Sequence, residues 1–320
     1  MGGVDDPVWT YALPMTTRFR GITVREGLLL RGPAGWGEFC PFAEYDDREA
    51  VAWLAAAREA AHEGWPEPVR DRIPVNATVP AVGPDHAQRI VRASGATTAK
   101  VKVAEKGRPA AEDEERVAAV RDALGPSGLV RVDANTAWTV DEAVAAIARL
   151  ERAAGGLEYV EQPCASVEEL AAVRRAVDVP VAADESIRRA EDPMRVVRAE
   201  AADVVVLKVS PLGGVRRALR IAQECGLPVV VSSAVESGVG LAAGLALAGA
   251  LPELHHACGL GTASLLAADV VAEPYLPDGG FLPVPRRAPE PVHRDAAAAP
   301  PDRDAWWRAR YDRVAALSTG

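Results

Sequence analysis

Between residues 75 and 264 the chain repeats one alternation: a short apolar run, then a stretch whose apolar residues recur every three or four positions. Short runs bounded by Gly or Pro read as buried strands, and the stretches between them are long enough for crossover helices, so the pattern specifies βαβ units around a parallel sheet. Strands are expected over 75–81, 99–104, 129–133, 157–161, 179–184, 203–209, 228–233 and 256–260. Helices are expected over 110–124, 140–153 and 215–225, each ending at Gly or shortly before Pro. Eight parallel strands suffice to close such a sheet. The expected fold class is therefore α/β, a TIM-like (β/α)7β barrel.

The first seventy or so residues are written differently. A strand over 22–31, a Gly/Pro-rich turn over 32–37 and an amphipathic helix over 46–64 describe a small α+β N-terminal capping domain. The expected division is a cap over 1–72, a catalytic barrel over 73–265 and a C-terminal segment over 266–320. The last segment carries a Pro/Ala-rich passage over 287–304 and a helix over 304–317, whose Trp306, Trp307 and Tyr311 need a surface to pack on; the cap is the expected one.

Composition narrows the partners. A net charge of -9 repels a phosphate backbone, so nucleic acid is not expected and a small molecule is. Cys40, Cys164, Cys225 and Cys258 are far apart, form no CxxC pair and suit a reducing cytoplasm better than a disulfide framework or a zinc site. The first fifteen residues lack the basic and apolar regions of a secretory signal, and the longest apolar run, 239–251, is too short to span a bilayer. Few exposed apolar stripes are evident, which favours a monomer.

Buried barrel strands should be nearly all apolar, yet five successive ones end in charge: Lys100 and Lys102, then Asp133, Glu161, Asp184 and Lys208. Side chains alternate along a strand, so Lys100 and Lys102 share a face and both can point into the barrel mouth. Asp133, Glu161 and Asp184 stand about one βα unit apart, which allows all three to converge at the C-terminal face. Three hard oxygen donors, with room for water or substrate oxygens, describe a Mg²⁺ site (or Mn²⁺ in its place) better than zinc. A single acid at a strand end is more commonly a helix N-cap or an ion pair; the joint spacing is what points to a metal.

Such a site suits proton abstraction next to a carboxylate, because the resulting enediolate needs its two negative oxygens stabilised. The base must be neutral near pH 7, and desolvation, the Lys100 charge and the metal are all expected to push Lys102 downward. Lys208 is expected across the mouth, with the substrate between the two amines.

Together KVK (100–102), VDAN (132–135), VEQP (160–163), ADES (183–186) and LKVSPLGG (207–214) resemble the enolase superfamily, in its muconate-lactonizing branch with a lysine on each side of the metal. The resemblance implies Asp133, Glu161 and Asp184 as Mg²⁺ ligands, Lys102 as the base, Lys208 as the opposing group, and Gly213 and Gly214 at the start of the next helix. RVDANTAW (131–138), SSAVESGVG (232–240) and the short chain are most similar to the branch's dehydratases. Those enzymes convert a succinylated hydroxycyclohexadiene carboxylate into an aromatic acid. The resemblance then implies that Lys102 removes the α-proton and helps the hydroxyl leave, while Lys208 stays protonated over the ring.

Arg131, two residues before Asp133, is expected to face the same way and to hold Lys102 or a carboxylate, unless it forms an ion pair inside the barrel. Asn135, Ser232, Ser233 and Gly259, with Gly261 nearby, are expected to contact substrate at the strand ends. TRFRG (17–21), with Phe19 and Arg20, and PFAEY (41–45), with Phe42, resemble the cap loops that close over the mouth and exclude water, unless Phe19 and Phe42 are plain cap core. Two rivals stand. A racemase of N-succinylamino acids could use the same two lysines, whereas HHACGLGTAS (255–264) offers no acid for the ammonium of a dipeptide. A non-catalytic binding barrel would usually have lost one of the six charges.

Overall fold

The structure is a computed structural model and describes residues 8–188 and 193–318, so the expected cap before residue 8 and the last two residues of the C-terminal segment lie outside it. Strands β1 (Val8–Phe19), β2 (Ile22–Gly32) and β3 (Gly35–Phe39) form an antiparallel sheet in that order. Helix α1 (Asp47–Arg58) starts at a capping box between Asp46 and Glu49 and runs on as a π-helical turn over Glu59–Glu63. Two features differ from expectation: β1 was not anticipated, and β3 begins inside the stretch read as a turn. Gly37 is what misled that reading. It is a glycine because a Cβ there would come within 1.9 Å of the Ala57 carbonyl oxygen, so only glycine lets the sheet approach α1.

After β4 (Arg72–Pro74) come the parallel strands β5 (Ala77–Val79), β6 (Thr98–Lys102), β7 (Leu129–Asp133), β8 (Tyr159–Glu161), β9 (Val181–Ala183), β10 (Val204–Leu207) and β11 (Val229–Val231), hydrogen-bonded in sequence order. The eighth expected strand shrinks to single bridges, Cys258 to Val75 and Gly259 to Ser232, which link the two edges of the curled sheet. Helices α2 (Pro84–Ser94), α3 (Ala110–Leu124), α4 (Val140–Ala154), α5 (Val167–Ala176), α6 (Glu185–Arg188), α7 (Met194–Arg198), α8 (Val209–Leu212), α9 (Val215–Cys225) and α10 (Gly238–Ala250) intervene. Thr139/Glu142 and Ser166/Glu169 form capping boxes, while Gly95, Gly155 and Gly226 end helices in the left-handed region that glycine adopts without strain. The Gly/Ala-rich run seen in the sequence is α10, buried along nearly its whole length. No helix among the described residues is long and apolar enough to cross a membrane.

Strand β12 (Phe281–Pro283) pairs with β4, so the segment after residue 265 serves the barrel's start as well as the cap. Helix α11 (Pro301–Leu317) lies on the cap, where Trp307 meets Phe39 edge-on at 6.1 Å, Arg303 pairs with Glu26, and Arg310 donates to the carbonyls of Phe42 and Tyr45. The cap core also takes in Ala234, Val235 and Leu265 from the barrel's loops and Val271 from the C-terminal segment, which seats the cap over the mouth.

Candidate active site

The mouth pocket is lined by Lys100, Lys102, Asp133, Asn135, Asp184 and Lys208 from the ends of β6 to β10, and by Ser232, Ser233, Gly259, Phe19 and Arg20 from the last two strand ends and the cap. Parallel register explains the first group: Lys102, Asp133 and Glu161 are successive cross-strand partners on β6, β7 and β8, and Asp184 follows the end of β9. Glu161 is fully buried and is the one acid of the three that does not line the pocket.

The side-chain tips are ordered differently from the strand ends. No three acidic, His or Cys side chains among the described residues form a ready coordination shell in this structure. Each carboxylate is taken by a cation instead. Lys100 Nζ donates to both Glu161 oxygens at 2.8 and 2.9 Å and lies 3.3 Å from Asp133. Lys102 Nζ donates to Asp133 Oδ2 at 2.5 Å and to Asn135 Oδ1 at 2.6 Å, with the Phe19 ring centroid 5.4 Å away. Asp184 accepts from Lys208 Nζ and, at 2.9 Å, from Arg188 Nε. The reason is electrostatic, since a buried carboxylate is costly unless paired.

The pairing leaves marks on the titration of these groups. Burial and the neighbouring Asp133 and Asp184 charges push Glu161 well above the usual carboxylate range, with Lys100 and Lys208 only partly offsetting them. Burial opposes ionisation of Asp133, but Lys102 and Lys100 outweigh it and hold the carboxyl well below its ordinary value; Arg188 and Lys208 do the same for Asp184. Lys100 is raised because Glu161 and Asp133 overcome its burial, whereas burial wins at Lys208 and lowers it.

These residues fit a hard divalent cation. The donor set is all oxygen, comes from adjacent strand ends, and is crowded enough that Asp133 and Asp184 both disfavour the charge on Glu161. The carboxylate oxygens now accepting from lysines are the ones such an ion would use.

Arg131 does not line the mouth and contacts neither Lys102 nor the three acids, so of its two expected roles the structure holds the ion pair inside the barrel and not the substrate contact. Its Nε donates to Glu158 at 2.5 Å and its Nη1 to the Ala257 carbonyl at 2.7 Å, with Tyr159 stacked 4.7 Å from the guanidinium. It follows the inward alternation of β7 but sits one layer below Asp133, where the interior ion pair is the stable solution.

Sequence reasoning missed Arg188, Thr78, Thr262, Ala234 and Val235, all of which line the pocket. Only Arg188 carried a signal: it is four residues after Asp184, the spacing of one helix face, and besides Asp184 it reaches Glu185 and the Tyr45 hydroxyl of the cap. The 41–45 loop is fastened by Arg310, and Phe42 is buried in the cap core with Arg20 at 4.4 Å and Arg25 at 4.5 Å from its ring centroid.

Comparison with known proteins places this geometry. Residues 84–289 match the family described as "Enolase C-terminal domain-like" and residues 10–61 match "Enolase N-terminal domain-like". An o-succinylbenzoate synthase of Thermobifida fusca is 70% identical over 276 residues, 86% of each chain. An o-succinylbenzoate synthase of Mycolicibacterium smegmatis is 58% identical over 306 residues, 95% of this chain and 93% of that one. Among solved structures, the L-Ala-D/L-Glu epimerase of Bacillus subtilis superposes with a TM-score of 0.76 at 23% identity, covering 94% of this chain and 100% of the epimerase.

Proposed function

We infer the reaction from the premise that this chain belongs to the enolase superfamily, whose members use a divalent metal. The chain is a carbon–oxygen lyase that dehydrates 2-succinyl-6-hydroxy-2,4-cyclohexadiene-1-carboxylate to o-succinylbenzoate, a step of menaquinone biosynthesis. The observation that carries the mechanism is a single pocket lined by Lys102 and Lys208 together with two of three acids from adjacent strands, the third being the buried register partner of Asp133.

Lys102 removes the proton α to the ring carboxylate, and the electron pair of the broken C–H bond enters the enediolate. That pair then expels the 6-hydroxyl, which takes the proton back from Lys102 on the same face and leaves as water; the new C=C bond completes an aromatic ring. No oxidant or reductant is needed. Asn135, 2.6 Å from Lys102 Nζ, orients the amine. Lys208, ion-paired to Asp184, lies over the ring as the opposing cation, and Lys100 keeps Glu161 in place. Mg²⁺, or Mn²⁺ in its place, is the ion that Asp133, Glu161 and Asp184 would hold, and when bound it supplies neutralisation of the charge that develops on the carboxylate oxygens. Ser232, Ser233 and Gly259 receive the succinyl tail, while Phe19 and Arg20 of the cap close over the substrate and exclude water.

The organisation that goes with this reading is a cap over 1–72 completed by 266–320 and a catalytic barrel over 73–265, supported by the packing of α11 against Phe39. The four free cysteines support a reducing cytoplasm. A monomer without nucleic-acid partners is supported by the acidic charge and by exposed apolar side chains, such as Val24, Leu129 and Val292, that come from separate elements.

The test is an absorbance assay of the cyclohexadiene substrate with and without Mg²⁺, run beside racemisation of an N-succinylamino acid. Metal-dependent dehydration abolished in Lys102→Ala is expected. Racemisation alone would replace the lyase by the two-lysine isomerase, which the placement of both amines in one pocket also allows.

A further inference from the structure

The stretch after β11 forms the uncharged wall of the pocket and contains an unusual backbone. Val235 has φ +61°, a left-handed conformation that a side chain branched at Cβ strongly disfavours. Something must hold it there. Its side chain is buried in the cap core, its N–H donates to Ser233 Oγ at 2.7 Å, and its carbonyl accepts from Arg25 Nε at 3.0 Å. Ser233 Oγ is itself fixed, accepting from Thr262 Oγ1 at 2.9 Å and donating to Glu236 at 2.6 Å.

Arg25 belongs to the cap, on β2, and is only 2% exposed. Its three hydrogen bonds all go to main-chain carbonyls: Val235 of the barrel, and Cys40 at 2.5 Å and Glu26 at 3.2 Å in the cap. Its guanidinium also stacks on Phe42, the ring it shares with the pocket-lining Arg20. A rigid planar donor set, anchored twice in one unit and once in the other, transmits position across the seam.

We propose that Arg25 is a positioning residue of the cap that clamps Val235 in its left-handed backbone, and thereby fixes the 232–235 wall against which the substrate's uncharged side and tail are selected. The identity of that substrate rests on the lyase reading; the clamp itself does not. Arg25 touches no reacting atom, so it governs binding and leaves the proton transfer at the opposite wall alone.

The experiment is a double-mutant cycle with Arg25→Met and Val235→Gly, reading melting temperature, KM and kcat for each protein. Arg25→Met is expected to raise KM about tenfold with kcat within about threefold of the parent, the pattern of lost ground-state binding. Glycine adopts φ +61° without strain, so in the Val235→Gly background the same arginine substitution is expected to raise KM by less than about threefold. Equal effects of Arg25→Met in both backgrounds, or a loss carried by kcat, overturn the clamp. If Arg25→Met does not fold, Val235→Gly against Val235→Ala decides: the glycine variant melts about 2 °C or more above the alanine variant if the backbone is strained, and a lower or equal value overturns the proposal. The melting measurements need no substrate, so their failure counts against the clamp, whereas absence of dehydration in the parent counts against the lyase reading.

Discussion

The two walls of the barrel mouth are built by different means. On one, Lys102, Asp133 and Glu161 sit in register on hydrogen-bonded parallel strands, and their charges fix one another. On the other, Ser232 to Val235 follow the end of β11 in irregular backbone, held by Glu236, Thr262 and the cap's Arg25. On the proposed reading the chemistry is mounted on the sheet, and recognition on a loop that the cap helps to shape. Such an arrangement lets the accepted substrate change through the cap and loops while the proton-transfer geometry stays put.

Substitutions on the strand wall should test that division most severely. Lys102→Ala is expected to lower kcat by about 10³–10⁴-fold, since a positioned general base contributes on that scale, and to shift the melting temperature only as far as the lost ion pair to Asp133 requires. Glu161→Gln is expected to weaken Mg²⁺ binding, measured by calorimetry, by at least about a hundredfold and to reduce turnover with it. Both would hit kcat, and a variant of either that altered only KM would erase the distinction. On the loop wall, Ser233→Ala removes the acceptor of the Val235 N–H and a donor to Glu236; KM should rise about tenfold with kcat nearly constant, the scale of one buried hydrogen bond left unmade.

The smallest effect on catalysis is expected below the mouth. Glu158 accepts from His256 at 2.7 Å and Arg131 at 2.5 Å, and although burial opposes its ionisation these contacts lower its pKa to about 2. Because the folded value is depressed below the ordinary 4.5, this carboxylate stabilises the fold above that pH, and the stabilisation is lost as pH falls toward 2. Glu158→Gln should therefore lower the melting temperature at pH 7 and flatten its fall between pH 5 and about 2, with turnover at pH 7 little changed. An unaltered acid limb in denaturation curves would show that Glu158 is not the group that titrates.

Where a rule of spacing operates, the sequence was legible. The α3 and α9 boundaries and the whole of β7 coincide with the expected 110–124, 215–225 and 129–133, because Pro and Gly stop helices and alternation marks strands. The same alternation brought Lys102, Asp133 and Asp184 to one pocket. It does not tell how deep a side chain lies along the barrel axis, so it leaves Arg131 open between the mouth and an interior ion pair, and the structure places it a layer below Asp133. Nor could it foresee that the carboxylates would each turn to a lysine or to Arg188, since that choice is made by burial and by neighbours from other strands. Gly37 read as a turn for a comparable reason: the cause of a glycine is here the closeness of another element, α1.

Local order of apolar, charged and helix-stopping residues determined the βα repeat, its strand-end charges and, with them, the class of chemistry, because periods of 2 and 3.6 residues are properties of a single segment. Tertiary structure alone decided which cation holds which acid, how the eighth strand reduces to two bridges, and why Val235 tolerates a left-handed backbone. Those outcomes depend on desolvation and contact between segments such as Arg25 and Val235, 210 residues apart, and no local pattern encodes them.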